Sequence, residues 1–211
     1  MKVQILCDNI KSWIIPYAQQ LNSEISSRGI DCTLLHDPKA VVQGDVLVML
    51  SCEQIFKNLH LNKHNLVVHE SALPHGKGWS PLTWQVLEGK NQIPITLFEA
   101  VSSVDAGAIY ISDVIELEGT ELVEDLRKKQ GLKTNEMVLQ FLDAYPDIQG
   151  RAQEGESTFY ARRGPADSEL DINKSIAEQF NLLRVCDNEK YPAFFHYQGR
   201  KYKIKIEHFD Q

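Results

Sequence analysis

The chain has 211 residues, 43% of them hydrophobic and 24% charged, with a formal net charge of -7. Such a chain can build its own core, most simply as one main domain with an appendage, and its acidic balance argues against a sequence-independent nucleic-acid surface, which needs clustered Lys and Arg. No apolar run reaches the roughly 18 residues of a membrane span, and Asp8 and Asn9 interrupt the N-terminus where a signal peptide needs a longer apolar stretch, so a cytoplasmic protein without membrane contact is expected.

In chain order, the apolar runs "KVQILC", "IDCTLLH", "DVLVML", "HNLVVH", "PITLFEA" and "GAIYISDVIEL" read as strands alternating with helical or turn segments. That rhythm predicts an α/β fold with a mostly parallel sheet. Between the first two runs, Ile14, Ala18, Leu21 and Ile25 fall at helical spacing, with Pro16 in the first turn and Gly29 at the end. "CDNIKSW" stands where a dinucleotide-binding GxGxxG would be, which argues against an NAD enzyme. Two helices are expected after the sheet, one capped by Thr120 and ending at Gly131, the other capped by Thr134 with Val138, Phe141, Leu142 and Tyr145 on one face. A polar stretch at 146–158 reads as a linker, so residues 1–150 form the main domain and 151–211 a small second unit. In that unit Ile172, Ile176, Phe180 and Leu183 share a helical face, and a hairpin turns at Gln198 and Gly199, its strand "GRKYKIKI" alternating charge with Tyr202, Ile204 and Ile206. Cys7, Cys32, Cys52 and Cys186 are scattered without metal-ligand spacing and read as reduced thiols; no metal is expected.

Two polar residues stand where strands run out. His69 follows "LVV" and Asp105 precedes "AGAIY"; at the carboxyl edge of an α/β sheet they can meet in one crevice. Each also has an ordinary role open to it, His69 as a core histidine satisfied by a backbone carbonyl and Asp105 as a turn former. After His69, the residues Pro74, Gly76 and Gly78 make an irregular, closely approachable backbone, and Ser80-Pro81 begins a helix. Trp79 and Trp84 are candidates either for stacking on a ligand or for the core.

The stretch from Leu66 to Tyr110 resembles the active-site region of formyltransferases that use 10-formyltetrahydrofolate. Their pattern of Asn-x-His-x-Ser-x-Leu-Pro, a Gly-rich turn, a helix ending in Gly, a Thr-Leu strand and Asp-x-Gly corresponds to His69, Ser71, Leu73-Pro74, Gly78 to Pro81, Gly89, Thr96-Leu97 and Asp105-Ala106-Gly107. "STFYARRGPADSELDINKS" and "YPAFFHYQGRK" resemble the C-terminal region of the branch that formylates nucleotide-linked amino sugars, whereas the first 50 residues lack the family's usual opening. The resemblance implies a Rossmann-like formyltransferase sheet with a small C-terminal helix and β-hairpin unit. It implies N-formyl transfer from 10-formyltetrahydrofolate to a nucleotide-linked deoxyaminosugar. "HESALPHGKGWSP" is most similar to compact members of pseudaminic-acid pathways, which narrows the expectation to UDP-4-amino-4,6-dideoxy-N-acetylaltrosamine in bacterial surface-glycan synthesis. Methionyl-tRNA formylation, and a folate- or nucleotide-sugar-binding module without catalysis, are the alternatives.

By the same resemblance His69 takes the amine proton or stabilises the developing oxyanion, and Asp105 orients and polarises the site. Val67 occupies the position of the family's Asn, an oxyanion donor, and Asn65 lies too far back along the strand, about 13 Å from His69 at about 3.3 Å per residue, to replace it. For the folate the resemblance points to Leu50, Ser51 and Ile55 and to the backbone of Ser102, Ser103 and Val104. For the substrate it points to Ser71, Gly78 and Trp79, with Lys77, Arg162 and Arg163 as pyrophosphate ligands. Glu70, on the opposite strand face from His69, is either a solvated carboxylate or a grip on the sugar or pterin. Tyr191, Phe194 and Phe195 either close over a base or anchor the small unit, and a homodimer through the 193–208 hairpin is compatible with the pattern.

Overall fold

A computed structural model describes residues 1–209. Six strands form the central sheet: β1 (Lys2–Leu6), β2 (Asp31–Leu35), β3 (Gly44–Met49), β4 (Asn62–His69), β6 (Gln92–Glu99) and β7 (Ile109–Glu116). β5 (Lys77–Gly78) lies outside it and pairs with β8 (Phe159–Tyr160). The order is β2-β1-β3-β4-β6-β7; the first three pairings are parallel and the last two antiparallel, so the mostly parallel α/β expectation holds. The chain runs from β1 outward to β2 and returns on the far side to β3, which opens a crevice at the carboxyl ends of β1 and β3. Because β1, β3 and β4 are parallel, Leu6, Met49 and His69 end on one edge.

The core forms where periodicity places it. In α1 (Ile15–Ser27), Ala18, Leu21 and Ile25 are fully buried, Pro16 sits in the first turn and Gly29 leaves the helix at φ 76°. α2 (Pro81–Leu87) starts on its proline. The two helices expected after the sheet are one, α3 (Val123–Ala144). Gly131 does not end a helix: a Cβ there would lie 2.4 Å from the Tyr17 ring, so the glycine admits α1 against α3. Thr120 does not cap α3 either; Asp125 accepts the Leu122 N–H at 3.0 Å, and Thr134 is buried within the helix. Val138, Phe141 and Leu142 line the core as expected.

After Tyr160 the chain builds a small cluster from Leu170, Leu183, Cys186 and Ala193. The long helical face read from Ile172 to Leu183 shrinks to α4 (Phe180–Arg184) with a 3-10 turn before it. Glu178 accepts the Ser175 N–H at 2.8 Å and so begins the helical turn late, leaving Ile172 and Ile176 exposed. β9 (Ala193–Tyr197) and β10 (Arg200–Ile204) form the expected hairpin, turning at Gln198 (φ 48°) and Gly199 (φ 76°), angles that suit a tight two-residue turn. All four cysteines are free thiols. Among the described residues no helix is long and apolar enough to cross a membrane.

Candidate active site

β4 carries Leu66 through the core and ends on His69, which pairs with Thr96 of β6. The chain then turns sharply: Ser71 N–H donates to the His69 carbonyl at 2.9 Å, and the Thr96 hydroxyl donates to the Ser71 carbonyl at 2.7 Å. These bonds hold a histidine that is almost entirely buried. Its Nε2 lies 3.0 Å from the Gly76 carbonyl oxygen and 3.9 Å from Asp105 Oδ2. A carbonyl only accepts, so Nε2 carries a proton, and Nδ1 is the ring nitrogen without a hydrogen-bond partner among the described residues. The carbonyl expected for a core histidine is therefore present, and the carboxylate expected for a catalytic one stands beside it.

Asp105 reaches this position from the loop joining β6 to β7, which curls back over the sheet edge. Its backbone is left-handed, φ 51°, and its Oδ2 accepts the Gly78 N–H at 3.0 Å. The Gly76–Trp79 backbone is braced on its other side by residues 158–160. Gly76 N–H donates to Thr158 Oγ1 at 2.8 Å, Lys77 N–H to the Thr158 carbonyl at 2.9 Å, and Trp79 N–H to the Tyr160 carbonyl at 3.2 Å. Gly78 tolerates no side chain here, because a Cβ would sit 2.5 Å from the Tyr160 oxygen. The stretch read as a linker is thus partly built into the site: Ile109 and Arg151 exchange 2.8 Å backbone hydrogen bonds, and Gln153 reaches the Asp105 turn.

The remaining candidates divide by location. Ser71 is buried with its hydroxyl unpartnered among the described residues. Glu70 is no solvated carboxylate: it is buried in the turn just past the end of β4, and burial pushes its carboxyl pKa up against the opposing pull of His69 and Gln130. Lys77 is buried in the glycine-rich turn and, among the described residues, has no ion-pair partner. Trp79 is half exposed with the Arg162 guanidinium 4.6 Å from its ring centre. Arg163 instead donates to the Asp167 carbonyl at 2.7 Å and lies over Trp84, whose indole stacks on Tyr160 at 6.0 Å. Trp84 is therefore the centre of an arginine–aromatic stack.

Val67 packs with Leu73, Phe98 and Ile109, an apolar setting that supplies no oxyanion donor. Asn65 is committed elsewhere, its amide donating to the Leu59 carbonyl at 2.9 Å. Of the folate candidates, Leu50 is buried with its N–H on the Leu6 carbonyl, while Ser51 (φ 48°) and Ile55 lie exposed on the loop after β3. Asp8 fixes that loop by accepting the Glu53 and Gln54 N–H groups, each at 2.9 Å, which places it over the β1/β3 crevice. Ser102, Ser103 and Val104 are exposed on the Asp105 loop. Tyr191 is half exposed, Phe194 is buried beside Lys201 and Phe195 stacks on Tyr202, so the three do not form one lid.

No protein-family model matches the chain. A methionyl-tRNA formyltransferase of Streptococcus suis is 33% identical over 144 residues, a match spanning 65% of this chain and 45% of that protein, so the chain covers less than half of that relative. The methionyl-tRNA formyltransferase of Clostridium thermocellum superposes on 100% of this chain and 94% of its own, with a TM-score of 0.81 at 22% identity. A 4-N formyltransferase from Francisella tularensis gives 0.74 at 16% identity, over 100% and 98% of the two chains. HypX from Aquifex aeolicus, solved with tetrahydrofolic acid, gives 0.80 at 16% identity over 98% of this chain and 37% of HypX. The chain shares the fold of these formyltransferase structures, with His69 and Asp105 facing one another at the edge of its sheet.

Proposed function

We propose that the protein transfers a formyl group from 10-formyltetrahydrofolate to the amine of a nucleotide-linked deoxyaminosugar. The observation that carries the reading is the buried His69 whose Nε2 is held by Gly76 and faced by Asp105, leaving Nδ1 to take a proton. Loss of the ammonium proton frees the amine to attack the formyl carbon. His69 accepts the amine proton through Nδ1 while the Asp105 carboxylate stabilises the imidazolium, and collapse of the tetrahedral intermediate breaks the bond from the formyl carbon to N10 and returns that proton to N10 of the departing tetrahydrofolate. The exposed backbone of Ser102–Val104 and the Ser51–Ile55 loop would hold the folate. The structure of HypX with tetrahydrofolic acid supports a folate-type ligand for this fold. Lys77, Arg162 over Trp79, and Arg163 supply the cationic and aromatic chemistry of a nucleotide diphosphate. A UDP-linked 4-amino-4,6-dideoxy-N-acetylaltrosamine remains the narrowest form of the proposal, and half-exposed Tyr197 and Tyr202 on the hairpin support a homodimer. The test is turnover of 10-formyltetrahydrofolate with UDP-, GDP- and dTDP-linked amino sugars. Formamido product with one of them is expected.

Methionyl-tRNA is the second acceptor to test, because the Streptococcus suis relative acts under that name. The net charge of -7 weighs against it. Salt-sensitive tRNA binding in a gel shift, with formylation of the charged tRNA and of no sugar, would replace the sugar reading. Val67 motivates a third, non-catalytic reading. Val67→Asn puts an amide among Leu73, Phe98 and Ile109, at about 1–3 kcal/mol for an unpaired buried polar group, so a lowered melting temperature is expected. If the oxyanion site is only impaired, kcat rises by about 10²-fold, the scale of one oxyanion donor. Folate binding without turnover in either form would establish a binding module.

A further inference from the structure

We propose that Gln153 is a positioning residue of the active site, holding Asp105 in the turn from which its carboxylate reaches Gly78 and His69. The kinetic part of this proposal rests on the formyl-transfer reading; the structural part does not.

Gln153 Nε2 donates to the Asp105 carbonyl at 3.0 Å and to the Gly107 carbonyl at 2.9 Å, so the two protons of one amide close on the backbone around a single turn. Both partners only accept, which fixes the amide's orientation. The consequence falls on Oε1, which is buried and has no partner among the described residues. An unmet buried acceptor costs about 1–3 kcal/mol, and the turned-over amide would set an oxygen against two carbonyl oxygens. The donor contact is thus kept at the acceptor's expense.

Asp105 needs such a contact. Its φ of 51° belongs to the left-handed region, a strain of about 1–3 kcal/mol that persists only where the surroundings over-determine it. The ends of the loop are tied by Glu99 N–H to the Ala108 carbonyl at 2.9 Å and Ala100 N–H to the Asn65 carbonyl at 2.6 Å. Neither tie touches Asp105. Gln153 does, and the paired backbone bonds between Ile109 and Arg151, two residues earlier, set where it stands. Releasing the amide lets the turn relax and draws the carboxylate away from Gly78 N–H and His69. A displacement of about 1 Å in a catalytic group is enough to cost about 10²-fold in rate.

The test compares wild type, Asp105→Ala, Gln153→Ala and the near-isosteric Gln153→Glu, which loses the donor at neutral pH while filling the same volume. Amide hydrogen exchange at Gly78 reads the Asp105 carboxylate without requiring activity. It is expected to be slow in the wild type and about tenfold or more faster in Asp105→Ala and both Gln153 variants, while the amides of the central sheet stay protected. In turnover, kcat falls about 10- to 100-fold in both Gln153 variants with KM for 10-formyltetrahydrofolate within about threefold. Gly78 exchange and kcat at wild-type values in both Gln153 variants would overturn the proposal. So would fast Gly78 exchange in the wild type, or a uniform loss of protection through the sheet, which marks a prop of the fold rather than of Asp105. If the wild type formylates no amine, the formyl-transfer reading fails while Gly78 exchange still decides the role of Gln153.

Discussion

His69 ends β4 and Glu70 opens the sharp turn that follows, so the strand alternation that would send Glu70 to the opposite face no longer governs it. His69 meets Gly76 and Asp105, and Glu70 is buried beside them with its carboxyl pKa raised by burial above the ordinary 4.5 against the pull of His69. A raised carboxyl favours folding while protonated, so its contribution is complete below about pH 4.5 and is lost as the pH climbs toward the folded-state value. Glu70→Gln cannot ionise. Its melting temperature is therefore expected to gain on the wild type between pH 5 and pH 8, read by thermal unfolding across that range; a difference independent of pH would show that Glu70 is ionised in the fold. Both His69 and Asp105 were legible from their place at strand ends and from the formyltransferase-like motif. Gln153 was not, since it lies in a polar stretch and acts through a main-chain contact with a residue 48 positions away. The burial of Glu70 was illegible for a related reason: alternation applies only within a strand, and β4 ends one residue before it.

Among the elements, strands and α1 followed their apolar periodicity, and the errors arose at glycine and cap residues. Gly131 reads as a helix end in sequence, but the contact that explains it is with Tyr17, 114 positions earlier in the chain (131 − 17). Ile172 and Ile176 have helical spacing, yet the Ser175–Glu178 cap starts the helix after them. α4 is only five residues long and is held by Leu183 in the small apolar cluster and by Arg184. Arg184, 1% exposed, sets Nη1 3.3 Å from Glu121 Oε2, Nη2 3.4 Å from Asn91 Oδ1 and Nε 2.9 Å from Asn181 Oδ1. Burial alone would raise the Glu121 carboxyl, but the N–H groups of Glu118 and Gly119 together with Lys129 outweigh it and hold its pKa at about 2. Arg184→Ala leaves Glu121 to Lys129 and the Glu118 and Gly119 N–H groups, and removes the buried guanidinium that bridges Glu121, Asn91 and Asn181. A loss of about 1.5–3 kcal/mol is expected in denaturant unfolding, the scale of a hydrogen bond to a charged group. A change below about 1 kcal/mol would mean that the pair does not tie α4 to the main sheet.

Across the molecule, the α/β class, the parallel start of the sheet and the terminal hairpin were legible because each is written in local periodicity and turn chemistry. The interlock between residues 151–160 and the Gly76–Trp79 turn was not, because it is made by main-chain bonds whose partners sequence composition does not specify. That interlock makes the C-terminal segment part of the site: Thr158 and Tyr160 brace Gly76–Trp79, and Gln153 closes on Asp105. The proposed formyl transfer rests on His69 and Asp105 acting together. Its most direct test is the release of tetrahydrofolate from 10-formyltetrahydrofolate, with the accepting amine present, by wild type, His69→Ala and Asp105→Asn at equal folded concentration. Turnover by the wild type and a loss of about 10²-fold or more in each variant, with circular dichroism unchanged, is the predicted result. Near wild-type turnover in either variant would contradict it.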